Sequence, residues 1–296
     1  MAMDIRGLWS PNLASKPYDK VKGVLYFSFG FNALACDGRH DGAAMTGAPG
    51  LRRTALGETA ARAPEGRRVY AIGDIHGRAD LLSRLHAGIV DDAREAGGAD
   101  NLILYVGDLV DRGPDSVGVV DLVMAAPPPG FGKLCLMGNH EAMMLEFLDD
   151  IGIGMTWALN GGVATLASYG VEALGGDTEG EWRRAQRDLA RAIPRRQLDF
   201  LRRLPLYHVE GDYAFVHAGV RPGVALERQA RDDLLWIREE FLDSAADHGR
   251  VVVHGHTVTR EAEVRPNRIG IDTGAYASGR LTCLVLAGRT RTLLRT

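Results

Sequence analysis

Three times in this chain a short apolar run ends in glycine followed by an acid or amide, then enters a segment with helical spacing. The blocks are Gly73-Asp74-Ile75-His76-Gly77, Gly107-Asp108-Leu109-Val110-Asp111-Arg112-Gly113 and Gly138-Asn139-His140-Glu141. A strand that turns into a helix must cross back before the next strand can pair, so the recurrence predicts β-α units and a parallel sheet. Arg68 to Ile72, Leu102 to Val106 and Lys133 to Met137 are the strand candidates. Asp80, Leu81, Leu82, Leu85, Ile89 and Val90 carry a helical stripe that stops at Gly97-Gly98. Pro114 suits the first turn of the next helix, and Met143, Met144, Phe147 and Leu148 mark a third.

Residues 155 to 204 read as helical but irregular, broken at Gly161-Gly162, Gly175-Gly176 and Pro194. Beyond them the pattern is mainly β, at Tyr213 to Val216, Val251 to Val253, Ile269 to Ile271 and Leu281 to Leu286. Early β-α units and later strands predict an α/β fold in which sheets pack together with helices outside. Residues 1 to 66 differ: Gly and Ala abound, Pro11, Pro17, Pro49 and Pro64 interrupt, and no period is sustained. Lys20 and Lys22 precede an apolar stretch, but Gly30 and Asn32 break it and it is too short to span a bilayer. We expect a poorly ordered extension over 1–66, or a true start near Met45, and a folded domain over 67–296.

A net charge of -3 over 296 residues leaves no global attraction to nucleic acid or membrane. Cys36, Cys135 and Cys283 are odd in number and widely spaced, forming neither a zinc pattern nor a disulfide framework. Cys135 and Cys283 sit in apolar runs as buried thiols, which fits a reducing cytoplasm.

In such folds ligands gather at the carboxyl ends of strands, where all three blocks fall. Asp74 and His76, two residues apart, would face one side of an extended segment. Asp108 has two oxygens and can bridge two ions, Asn139 adds a neutral carbonyl, and His217 and His256 add nitrogens from Val216-His217-Ala218-Gly219 and His254-Gly255-His256-Thr257. Mixed oxygen and nitrogen donors without thiolate favour Mn, Fe or Zn over Cu(I) or an iron-sulfur cluster. Two such ions about 3.5–4 Å apart activate water and clamp a phosphoryl group. Taken singly, each block has a plainer reading. Gly-Asp-x-His-Gly can be a capped turn, Asp111-Arg112 a surface ion pair, and His217 or His256 a buried histidine. Five such blocks in one chain outweigh those readings together. His254 is assigned to support or packing around the site, while His40, His86, His208 and His248 receive no role. Trp157 and Gly161-Gly162 either shape a substrate cleft or simply pack.

The order GDIHG, GDLVDRG, GNHE, VHAG, HGHT resembles the metallophosphoesterase superfamily, within it the phosphoprotein phosphatases, and most of all the bacterial and phage lambda-type serine/threonine phosphatases. The likeness covers residues 67 to 296 and takes in Trp157 to Gly162 with Ser168-Tyr169-Gly170, Leu234 to Arg238, and Ile271 to Ala275. It implies an αββα sandwich of two mixed β-sheets flanked by helices. It also implies two divalent ions, typically Mn²⁺, with Fe or Zn compatible. Asp74, His76 and Asp108 would hold the first ion, and Asp108, Asn139, His217 and His256 the second. Arg112 and Arg238 would bind phosphate, their planar donors suiting a tetrahedral anion. His140 would be the general acid and Asp111 would orient it. A metal-activated hydroxide would attack in line, with no phosphoenzyme, on a phosphorylated protein or peptide. Val258 follows Thr257, so the seventh ligand of more distant relatives does not arise. Symmetrical diadenosine tetraphosphate hydrolases tend to have alanine where this chain has Asp111 and aspartate where it has Glu141, which favours the protein phosphatase over that alternative. An inactive binding module that keeps the fold is a third reading, opposed by the filled ligand positions.

Overall fold

The computed structural model describes residues 51–296 apart from 99 and 173. The three expected β-α units are present. Strand β1 (Arg52–Glu58) precedes them, and β2 (Arg67–Ile72), α1 (Ala79–Ala96), β3 (Asp100–Tyr105), α2 (Ser116–Met124), β4 (Phe131–Cys135) and α3 (Asn139–Asp149) follow. Helix α1 ends at Gly97, whose N–H bonds to Ala93 O. Pro114 lies one residue outside the cap of α2 rather than in its first turn, because Asp115 occupies that position and accepts the N–H of Gly118. The irregular segment holds α4 (Gly154–Trp157), a π-helical turn at Ala158–Gly162, α5 (Val163–Ser168), α6 (Glu179–Ala192) and α7 (Arg195–Leu201). Then come β5 (Tyr207–Glu210), β6 (Tyr213–Val216), α8 (Arg231–Trp236), α9 (Glu239–Leu242), β7 (Val251–His254), β8 (Glu263–Val264), β9 (Arg268–Gly270), α10 (Ala275–Ser278), β10 (Thr282–Ala287) and β11 (Thr290–Arg295).

Two mixed sheets result, a six-stranded one in the order β1-β11-β10-β2-β3-β4 and a five-stranded one in the order β5-β6-β7-β9-β8. Strands β2, β3 and β4 are parallel, as are β6, β7 and β9. Alternation along each strand divides the core. Val69, Ala71, Leu102 and Leu104 meet Phe215, Val253 and Ile269 between the sheets, while Tyr70, Ile72, Ile103 and Tyr105 turn to the helices, beside Leu82, Leu85 and Phe147. On the far side Val216 and Val252 pack with Leu234 and Phe241 of α8 and α9. Each fully buried aliphatic side chain contributes roughly 1.5–3 kcal/mol. The αββα sandwich is therefore the observed fold.

The expected domain boundary near residue 67 needs correction. Arg52–Glu58 is a strand paired antiparallel with β11, from Arg52 opposite Arg295 to Glu58 opposite Thr290. Backbone hydrogen bonds hold it more than burial does, since most of its side chains are exposed, and that hid it from an apolar pattern. The rest of the expected extension, residues 1–50, lies outside the described residues, as do Cys36 and His40.

Candidate active site

The loops leaving β2, β3, β4, β6 and β7 converge at one end of the sandwich. Asp74 and His76 follow β2, Asp108, Asp111 and Arg112 follow β3, and Asn139 and His140 open α3 after β4. His217 follows β6 and His256 follows β7. All of these are buried except Arg112, which is half-buried. Five non-glycine residues have positive φ among those described: His76 at 46°, Asp108 at 53°, Asp111 at 73°, Arg112 at 66° and His256 at 63°. Every one is a site candidate. Such conformations cost on the order of 1–3 kcal/mol each and persist where surrounding bonds over-determine them. For His76 the reason is local: the N–H groups of Ile75 and His76 both bond Asp108 O, at 3.0 and 2.9 Å. The expected extended Asp74–His76 segment is thus a tight turn that couples two ligand loops.

Glu141 is the main tie. Its Oε1 accepts the N–H groups of Leu109 and Val110 at 2.7 and 3.1 Å, and its Oε2 those of Asp108 and Gly138, both at 2.9 Å. The residue touches backbone, so its identity speaks of loop architecture and carries less weight about substrate than the sequence reading placed on it. A glutamate three residues into a helix was a legible sign of such a tie.

The imidazoles are oriented as ligands. His76 Nδ1 donates to Val110 O at 2.8 Å and His217 Nδ1 to Val106 O at 3.0 Å, because a carbonyl can only accept. Each ring therefore turns an Nε2 lone pair inward. Burial lowers the His76 pKa to about 3 and the His256 pKa to about 2, and lowers that of His217. Burial alone would raise the Asp108 carboxyl, but His217, His140, His76 and His256 outweigh it and hold it far below the carboxylate range. Its Oδ1 lies 3.4 Å from His217 Nε2 and its Oδ2 lies 3.5 Å from His76 Nε2, so the two oxygens serve different rings.

A divalent ion fits this donor set. With the Asn139 amide as placed, its Oδ1 faces His217 Nε2 at 2.7 Å, two acceptors in contact whose repulsion a bound cation would relieve. His256 Nδ1 lies 2.9 Å from the same Oδ1, and His256 Nε2 and Asp74 Oδ1 are buried without partners. His76, Asp108 and His140, and again Asp108, His217 and His256, bring ligand atoms within 4.8 Å of one another, sharing Asp108. The first group contains His140 where the resemblance put Asp74, whose Oδ2 instead accepts the N–H of His256 at 2.9 Å.

His140 has other commitments. Its Nδ1 lies 2.6 Å from Asp111 Oδ2. Trp157 Nε1 donates to the same oxygen at 2.9 Å, and Thr165 Oγ1 donates to Oδ1 at 2.6 Å. Trp157 is fully buried, so it braces the His140–Asp111 pair and neither lines a cleft nor merely packs. Burial opposes a charge on His140, but the Asp108 and Asp111 carboxylates prevail and its pKa is raised. Arg112 donates to Nε2 of both His76 and His140, at 3.0 and 3.1 Å, and lies 5.0 Å from the ring of half-exposed Tyr276. Arg238 stands at the opposite end, its charge acting on His217 and His256 and its Nη1 donating to Thr257 Oγ1 at 3.3 Å. All ten sequence-predicted site residues are thus gathered. His254 packs on Phe241 and beside Arg268, as supporting structure. His86, His208 and His248 bond Tyr105, Glu210 and Asn267 away from the site.

Residues 67–279 match the calcineurin-like phosphoesterase family. The chain belongs to that family and is a metallophosphoesterase hydrolase. Its relatives divide by substrate. It is 30% identical over 228 residues to serine/threonine-protein phosphatase 1 of Salmonella typhimurium, covering 73% of this chain and 90% of that one. It is 32% identical over 153 residues to a symmetrical bis(5′-nucleosyl)-tetraphosphatase of Dechloromonas aromatica, covering 52% of this chain but only 44% of that relative. It is 26% identical over 232 residues to the asymmetrical bis(5′-nucleosyl)-tetraphosphatase PrpE of Anoxybacillus flavithermus, covering 72% and 88%. A crystal structure provisionally described as a diadenosine tetraphosphatase shares the fold, with a TM-score of 0.50 at 24% identity over 75% of this chain and 93% of that one. No helix among the described residues is long and apolar enough to cross a membrane.

Proposed function

We propose that this enzyme hydrolyses phosphoserine and phosphothreonine esters on protein or peptide substrates, with two Mn²⁺ ions, in a reducing cytoplasm. The observation that carries the reading is the His140–Asp111 pair, fixed by Trp157 and Thr165 and placed against the ligand cluster. Likeness to the Salmonella phosphatase over 90% of that protein supports it, and the free buried thiols of Cys135 and Cys283 fit the compartment.

Asp74, His76 and Asp108 would hold one ion, and Asp108, Asn139, His217 and His256 the other. Held by these residues, such ions would supply positive charge for the phosphoryl oxygens and lower the pKa of bound water. Arg112 leaves the two imidazoles it bridges and turns its planar donors to the phosphate, with Arg238 opposite. His140, oriented through Nδ1 by Asp111, gives the proton on Nε2 to the departing serine or threonine oxygen. His140→Asn therefore lowers kcat by roughly 10²–10⁴-fold, the usual share of general acid catalysis, with metal content by elemental analysis unchanged. Unchanged turnover would remove His140 from that role.

The tetraphosphatase relatives support a second reading, hydrolysis of a dinucleoside tetraphosphate. The deciding test compares kcat/KM for a phosphoserine peptide and diadenosine tetraphosphate on one Mn²⁺-loaded preparation. Preference for the peptide is expected. Preference for the dinucleotide overturns the proposal, with ADP as product marking symmetrical cleavage and ATP plus AMP asymmetrical cleavage.

A further inference from the structure

Asp272 belongs to none of the metal motifs, yet it is 1% exposed and stands between β9 and α10 at the site. Its Oδ1 accepts the N–H of Gly274 at 2.8 Å, while its Oδ2 is buried with no partner. The Asp74 carboxyl lies within hydrogen-bonding reach of the Asp272 carboxyl, and Asp74 Oδ1 is also buried with no partner. Asp108 adds a third negative group that acts on both. Buried carboxylate oxygens without donors are costly, and adjacent like charges in a poorly solvated site cost more.

The backbone builds this juxtaposition firmly. Ile271 N–H donates to His254 O at 2.9 Å and Thr259 N–H to Asp272 O at 3.0 Å, tying the Asp272 turn to the loop that carries His256. A Cβ on Gly255 would overlap Asp74 Oδ1, so only glycine lets that loop approach the pair. Two buried carboxyl groups brought together by the backbone, each with an open acceptor oxygen, are matched by a cation.

We propose that Asp272 is a further acidic residue of the metal centre, acting with Asp74 on the same ion. The inference concerns the ion site and holds whichever phosphoester is cleaved. Titration of metal-free protein with Mn²⁺ by calorimetry tests it. Asp272→Asn keeps the shape and the acceptor for Gly274 but removes the charge. One of two sites should weaken by roughly ten- to a hundredfold, the range for residues that support metal ligands, and the other should hold its affinity. Asp74→Asn should weaken the same site, and the double variant should lose less than the two single losses combined. A wild-type Mn²⁺ isotherm in folded Asp272→Asn overturns the proposal, as does full additivity with Asp74→Asn. A lower melting point without metal, with Mn²⁺ affinity kept, would mark Asp272 as structural and also overturn it. Asp272→Ser, which retains an acceptor for Gly274, carries the same test if the amide variant does not fold.

Discussion

Asp111 shows how much of this site depends on bonds made behind its exposed face. Its carboxylate takes bonds from His140, Trp157 and Thr165, so the His140–Asp111 pair has one orientation. Trp157→Phe keeps the packing and loses one donor. Steady-state kinetics should show kcat falling roughly tenfold, the value of about one hydrogen bond, with Mn²⁺ content unchanged. Glu141→Gln sets an amide against N–H donors where a carboxylate accepted them, so chemical unfolding should show a loss on the order of 1–3 kcal/mol. His140 and Asp111 were legible because short motifs carry them. Trp157 and Thr165 were not legible as partners of Asp111, since nothing local links residues that far apart. Asp272 stood in a recognisable run, but only folding reveals which carboxylate it meets.

At the scale of elements, the π-helical turn at Ala158–Gly162 positions Arg112. Gly161 has φ 106°, its carbonyl accepts the N–H of Arg112 at 3.2 Å, and a Cβ there would lie 2.7 Å from Arg112 Cγ. Gly161→Ala is strained in conformation and displaces Arg112. Inorganic phosphate should inhibit that variant more weakly and KM should rise, while calorimetric Mn²⁺ affinity stays the same. The break at Gly161-Gly162 was readable in the sequence; the reason for it was not, because Arg112 lies on another unit. Strands β2, β3, β6, β7 and β10 were visible as continuous buried runs. Strands β1, β5, β8 and β11 escaped because they are partly exposed and half-polar, and their pairing rests on backbone bonds that leave little pattern.

Across the whole molecule, buried neutral histidines set an acid limit on stability. Burial lowers the His86 pKa from 6.5 to about 4, so the unfolded chain takes up a proton over a range where the folded chain does not. Its contribution is complete above pH 6.5 and is lost as pH falls toward about 4. Urea midpoints followed across that window should fall less steeply for His86→Gln than for the wild type. Removal of residues through Glu58 takes β1 away and bares the β11 edge, so the melting temperature should drop and aggregation should rise. The pairing of β2 with β10 has a further consequence, in time. Val69 sits opposite Leu286, so the strand that leads into Asp74 and His76 has its neighbour on one side supplied from near the far end of the sequence. Closing such a loop is entropically slow, and a chain emerging from the ribosome cannot complete this sheet early. The turn that carries Asp74 and His76 is therefore made among the first residues of the domain and gains its full support among the last, so in a nascent chain that end of the fold is completed late.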